Sequence, residues 1–200
     1  CESRKGNGSL FPFSVFTIGK AVLEIFKTRS TLAYTLIMGV IQGGFIVYLS
    51  SAQQIFQDQY GLGDKFPLVF AILALAIGVA SLVNSNLVMK YGMDKMARWS
   101  LVAFTTISAF CILIFISMPG QNPSLLVFMV YLILLLFSTG ILFGNLNALA
   151  MRPLGHIAGL GSTVVGFVST LISVPLGIYI GRFIQDTAFP LVIGFGLAGI

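Results

Sequence analysis

The 200 residues include eleven Lys and Arg, six Asp and Glu and one His, while hydrophobic side chains make up 57% of the chain. Charged residues, at 8%, fall far below the ~25% of soluble domains, which excludes a large water-soluble core. The net charge of +5 comes with no dense basic stretch interleaved with aromatics, so nucleic acid is not an expected partner. Cys1 and Cys111 stand in no metal-ligand spacing.

The charges are also spaced. Arg29 to Asp58, Lys65 to Lys90 and Arg152 to Arg182 each enclose 24 to 29 uncharged residues, and about 20 residues of helix cross roughly 30 Å of hydrocarbon. Residues 1–30 read as a cytoplasmic linker. Within it, Ser14, Thr17, Lys20, Glu24 and Lys27 recur at helical spacing, with Phe16, Leu23 and Phe26 on the remaining arc, which predicts an amphipathic helix lying on the membrane surface. Asn7-Gly8-Ser9 matches a glycosylation sequon that would go unused on that side. Residues 31–200 contain six apolar segments: Leu32–Phe56, Phe66–Met89, Trp99–Met118, Leu125–Met151, Leu160–Gly181 and Thr187–Ile200. A turn at Pro119-Gly120-Gln121-Asn122-Pro123 separates the third from the fourth. The last segment is short and the chain begins at Cys1, so the sequence reads as a piece of a longer protein.

Lys and Arg gather in alternate connections. Arg4, Lys5, Lys20, Lys27, Arg29, Lys90, Lys95, Arg98 and Arg152 fall on one side, against Lys65 and Arg182 on the other. Positive residues concentrate in the cytoplasm. The expected location is therefore the cell (inner) membrane, multi-pass, with the N-terminal segment cytoplasmic.

Gly39 and Gly43, Gly140 and Gly144, and the series Ser169, Ser173, Gly177, Gly181 place small residues four apart, the pattern of close helix packing in lipid. Pro175 is expected to bend the fifth span. In the first span Tyr34, Phe45 and Tyr48 share a face, with Gln42 and Gln53 aligned to one side; in the fourth, Tyr131, Ser138 and Asn145 repeat every seven residues. These seven residues (Tyr34, Gln42, Phe45, Tyr48, Tyr131, Ser138 and Asn145) are the candidate substrate contacts. Uncharged amides and aromatics suit an amphipathic small molecule, although Gln42 and Asn145 fit interhelical glue equally well, and Asn84 and Asn86 an interfacial position. No Asp, Glu, Lys or Arg lies deep in a complete span, where proton relays need one. His156 reads as a loop residue. Gly194-Phe195-Gly196-Leu197-Ala198-Gly199 matches a dinucleotide pattern only by letter, since no βαβ unit surrounds it. No zinc-protease, serine-hydrolase or P-loop motif is present, so the chain is not expected to be an enzyme and no cofactor is implied.

Two stretches carry a resemblance. Leu87-Val88-Met89-Lys90-Tyr91-Gly92-Met93-Asp94-Lys95-Met96-Ala97-Arg98 resembles the loop joining helices 8 and 9 of the major facilitator superfamily. Gly144-Asn145-Leu146-Asn147-Ala148-Leu149-Ala150-Met151-Arg152-Pro153-Leu154-Gly155-His156-Ile157-Ala158-Gly159 is similar to the end of helix 10 and the next loop in its Bcr/CflA drug-resistance branch, which typically carries an acid where Arg152 stands. Gly44-Phe45-Ile46-Val47-Tyr48, running on to Gln59-Tyr60-Gly61-Leu62, also fits that branch.

The resemblance implies an all-α six-helix bundle equivalent to helices 7 to 12, with the last helix truncated and the N-terminal six absent. It implies alternating access between two bundles, proton coupling through the N-terminal half, and a cavity lined by helices 7, 8, 10 and 11. Lys90, Gly92, Asp94, Lys95 and Arg98 would then form a cytoplasmic gating loop. The expected function is proton-coupled efflux of drugs or amphipathic small molecules. A metabolite or sugar facilitator of the same fold, and a non-transporting membrane scaffold, are the alternatives.

Overall fold

In hydrocarbon, backbone N–H and C=O groups must bond within their own segment, so an apolar chain without a closed barrel forms helices. The computed structural model describes residues 15–118, 120–185 and 187–199, and its regular elements are all helical. Cys1, Arg4, Lys5, the Asn7-Gly8-Ser9 sequon, Ser14, Pro119, Asp186 and Ile200 lie outside the described residues. The helices are α1 (Val15–Lys27), α2 (Arg29–Gln53), α3 (Phe66–Tyr91), α4 (Met93–Ser117), α5 (Leu125–Met151), α6 (Ala158–Gly181) and α7 (Phe189–Ala198). A wide π-helical turn, Gln54–Gln59, extends α2, and a 3-10 turn, Arg152–Ile157, joins α5 to α6.

Four continuous helical stretches are long and apolar enough to cross a membrane, the last of them, Leu125–Gly181, containing both α5 and α6. The six expected segments all appear as helices. α4 begins six residues before the expected Trp99, because charge marks where hydrocarbon ends and not where a helix ends. Asp94 in its first turn even suits the positive end of the helix dipole. α6 continues as one helix through Pro175. α7 has ten residues, roughly 15 Å at 1.5 Å per residue.

Lipid tails offer no hydrophobic drive for helices to associate, so close fit decides which helices pair. Of the small-residue series expected from sequence, those of α2 and α6 mate with each other. On α2, a Cβ at Gly39 would sit 3.1 Å from the Ser169 carbonyl and one at Gly43 3.1 Å from Leu176 Cβ; a Cβ at Gly177 on α6 would sit 2.7 Å from Ile46. The Ser169 hydroxyl donates across this seam to the Thr35 carbonyl at 3.3 Å. On α5, a Cβ at Gly140 would stand 2.9 Å from Ala80 and 3.0 Å from the Ile77 carbonyl, bringing α3 against α5. At the end of the bundle away from α1, the Gln59 and Asn122 amides bond at 2.9 Å, and Asn122 accepts from the Ala188 N–H at 2.8 Å. These bonds tie three connections together.

The outer surface of α3 is of two kinds. Leu68, Ile72, Leu75, Val79 and Leu82 form one exposed stripe at helical spacing, as lipid contact requires. Beside it runs a second exposed stripe of small residues, Ala71, Ala74, Gly78, Ser81 and Ser85. α6 repeats the division, with Phe167, Leu171, Val174 and Ile178 large, and Gly159, Thr163, Gly166 and Thr170 small. The hydroxyls on the small stripes bond to carbonyls of their own helices, among them Ser81 to Ile77 at 3.1 Å and Thr170 to Gly166 at 2.9 Å. Such faces can meet another helix with no polar group left unpaired.

α1 packs on α6 and α2, separated from α2 by Thr28 alone. Its Ile25 is fully buried on the bundle while Leu23 and Phe26 stay exposed, so the helix is docked and also keeps an apolar outward side.

Two substitutions check this arrangement. Gly140→Ala should lower stability by about 1–3 kcal/mol, the usual cost of overpacking, seen as a lower thermal-unfolding midpoint in detergent. Gly92, the single residue between α3 and α4, has φ 81° and ψ 156°, a region almost confined to glycine. Gly92→Ala should cost about 1–3 kcal/mol by the same measurement.

Candidate functional site

On α2, at roughly 100° per residue, Gln42, Phe45 and Leu49 fall together on one face, turned neither to α6, which Gly39 and Gly43 touch, nor to Phe195 of α7, which Gly44 touches. Gln42 and Phe45 are half-buried; Leu49 and Gln53 are exposed. Phe45 meets Phe143 of α5 edge-on at 6.1 Å between ring centroids and lies 6.0 Å from Tyr48. Tyr48 stacks on Phe70 of α3 at 6.1 Å and 10°, and Phe70 lies 5.7 Å from Phe66. A continuous aromatic wall therefore links α5, α2 and α3. Tyr48 is buried in it, while Phe45, Phe70 and Phe143 remain half-buried. Tyr34, three turns from Phe45, is half-buried and stands apart from these ring contacts.

The three expected residues of α5 lie elsewhere. Their seven-residue spacing does put them on one side of the helix, but that side is not the one bearing Phe143. Tyr131 is buried near Cys111 of α4 and 6.0 Å from Phe128. Its hydroxyl, like that of Ser108, has no hydrogen-bond partner among the described residues. An outward groove of about 420 Å³ between α4 and α5 is lined by Phe110, Val130, Leu134 and Tyr131. Ser138 is buried and donates to the Leu134 carbonyl at 2.9 Å. Asn145 is buried and donates both to the Ile141 carbonyl at 2.8 Å and to Asn84 Oδ1 at 2.7 Å. A period says which residues share a face; it does not say which neighbour that face meets.

At the α1 end, Asp94 bonds neither Lys90 nor Arg98 but Arg152, at 3.4 Å, with both side chains more than half exposed. The turn between α3 and α4 is thus tied to the turn between α5 and α6. Lys90 lies over the ring of its neighbour Tyr91 at 5.2 Å, and Tyr91 packs edge-on against Trp99. Lys95 and Arg98 are exposed. His156 contacts Glu24 of α1 at 2.9 Å, which makes it a docking residue for that helix. Cys111 is a buried free thiol, and the described residues hold no group of three or more His, Cys, Asp or Glu able to bind a metal.

Sequence reasoning missed Phe70, Phe143 and Arg152. Phenylalanine is common in any lipid-facing helix, so neither ring stands out, and Arg152 reads in sequence as a positive-inside charge and a departure from a motif, with nothing to pair it with Asp94.

No protein-family profile matches the chain, and no solved structure matches it. Among curated proteins, an uncharacterized MFS-type transporter of Bacillus subtilis, YdgK, is 27% identical over 182 residues, covering 90% of this chain and 44% of the relative. A bicyclomycin resistance protein homolog of Haemophilus influenzae is 23% identical over 189 residues, covering 92% of this chain and 46% of the relative. The chain spans about half the length of the curated relatives it matches. In sequence the chain is related to the C-terminal half of major facilitator superfamily transporters, and its helices are long and apolar enough to cross a membrane repeatedly.

Proposed function

We propose that this bundle is one wall of a small-molecule transporter that exports amphipathic, aromatic-bearing compounds in exchange for protons. The observation that carries the reading is the aromatic wall of Phe143, Phe45, Tyr48 and Phe70, half-open beside the uncharged Gln42. Stacking on such rings favours flat apolar ligands without demanding a fixed hydrogen-bond pattern. The small-residue stripes of α3 and α6 support a second bundle docked on the same side, so that ligand is enclosed between two bundles that rock about it. No acid or base stands beside the aromatic wall within the spans, and in this reading proton handling belongs to that second bundle. Lys27, Arg29, Lys90, Lys95, Arg98 and Arg152 gather at the α1 end, supporting its cytoplasmic placement in the inner membrane. The resistance-protein relative agrees with export of a drug-like compound.

In this reading the Asp94–Arg152 pair holds two turns of the cytoplasmic end together in one state of the cycle. Being exposed, it contributes only about 0.2–1 kcal/mol, which is useful in a latch that must open on each turnover.

Efflux by the intact transporter in everted membrane vesicles tests the assignment. Phe45→Ala should raise the apparent KM for an aromatic lipophilic cation about three- to tenfold, the loss expected for one aromatic contact, and a protonophore should abolish accumulation. Uptake of a sugar with no movement of lipophilic cations would sink this reading in favour of a facilitator. Unchanged transport in both Phe45→Ala and Gln42→Ala would remove these residues from the site. For the latch, Asp94→Asn and Arg152→Ala should each change turnover with little change in KM. The double variant should match the single ones, while the swap Asp94→Arg with Arg152→Asp should restore the rate.

A further inference from the structure

The hydrogen-bond chain between α5 and α3 dictates the orientation of one amide. The Ile141 carbonyl can only accept, so Asn145 must turn its NH2 group toward it, at 2.8 Å. The second hydrogen of that NH2 reaches Asn84, at 2.7 Å, which must therefore answer with Oδ1. With its oxygen committed inward, Asn84 is forced to turn its own NH2 group the other way. There it has no acceptor among the described residues. It faces Gly144, where a Cβ would stand 3.6 Å from Nδ2, and Gly144 is exposed, as is Asn147 one turn further along α5. Phe143, the α5 member of the aromatic wall, precedes Gly144 directly. Asn84 itself lies one turn beyond Ser81 on the small-residue side of α3, away from the Leu68–Leu82 stripe.

We propose that Asn84 Nδ2 is a ligand-binding donor, which receives a carbonyl-type oxygen from a compound whose ring system rests against Phe143. The proposal builds on the transport reading and adds to it a chemical preference, for an acceptor oxygen beside an aromatic group. Asn145 is a positioning residue: it touches no ligand but decides which end of Asn84 is presented. Gly144 keeps the donor uncovered.

The test compares two aromatic cations in everted vesicles containing the intact transporter: rhodamine 6G, which carries an ester carbonyl, and tetraphenylphosphonium, which has no acceptor. Asn84→Asp keeps the oxygen that Asn145 needs but replaces the outward NH2 with a second acceptor; because the carboxylate also attracts cations, its KM ratio is compared with that of Gly144→Val, which adds no charge. The KM for rhodamine 6G relative to tetraphenylphosphonium should rise about three- to tenfold, the effect of one lost hydrogen bond. Gly144→Val, which covers Nδ2 and leaves the Asn84–Asn145 bond in place, should shift the ratio in the same direction and keeps the test open if Asn84→Asp folds poorly. An unchanged ratio in both variants overturns the donor role while leaving the transport reading intact. Equal losses for both probes overturn it too, assigning the amide to packing or to a lipid ester carbonyl. Failure of the unaltered protein to move either cation overturns the transport reading and the ligand class with it.

Discussion

Close approach of helix backbones is the constraint on which the rest of this bundle depends. In lipid, burying a leucine gains almost nothing over leaving it among acyl chains, so helices pair where small residues let them come near. Gly39 and Gly43 seat α2 against Ser169, Ser173 and Gly177 of α6, and Gly140 seats α5 against Ala80 and Ile77 of α3. Once these two seams are set, the large rings of Phe45, Tyr48, Phe70 and Phe143 have one place to go, the space where α2, α3 and α5 converge. The aromatic wall follows from the seams.

Polar groups follow a second rule, that a partner inside the protein is favoured, with the Tyr131 and Ser108 hydroxyls as exceptions among the described residues. Most hydroxyls return to a carbonyl of their own helix, as Thr35, Ser51 and Thr139 do, and so leave helix pairing to shape. A few reach across. Thr31 donates to the Ala150 carbonyl at 2.9 Å, joining the start of α2 to the end of α5. Asn145 reaches Asn84 of α3 while also donating to the Ile141 carbonyl of its own helix, and its direction passes on to Asn84. The charged residues are left to the ends of the helices, and at the α1 end the Asp94–Arg152 pair and the Glu24–His156 contact tie turns and helix α1 together. The interior holds form, while the ends carry the interactions that can be broken and remade.

Much of this was legible in the residue pattern. Charge-free intervals marked the spans, and Pro123 with Gly120 marked the reversal between α4 and α5, because both signals are local properties of the chain. The seams were legible too, as glycines and serines four residues apart. What could not be read was the direction each helix face takes. Tyr131, Ser138 and Asn145 share a side of α5, yet that side packs toward α4 and α3, while Phe143 and Asn147, which carry no distinguishing spacing, stand on the open side. The partner of Asp94 was hidden for a similar reason: Lys90 and Arg98 are near in sequence, whereas Arg152 is near only once α5 returns beside α4.

By itself the sequence determined that this protein lives in a bilayer, which segments become helices, roughly where they turn and which faces carry small residues fit for close approach, since lipid thickness, charge and residue size act on each segment alone. Only the tertiary structure decided which aromatic rings form a common wall and which amide is turned outward. Those outcomes depend on the rotation of one helix relative to its neighbours, a quantity that arises from the packing of whole faces and is written in no single segment.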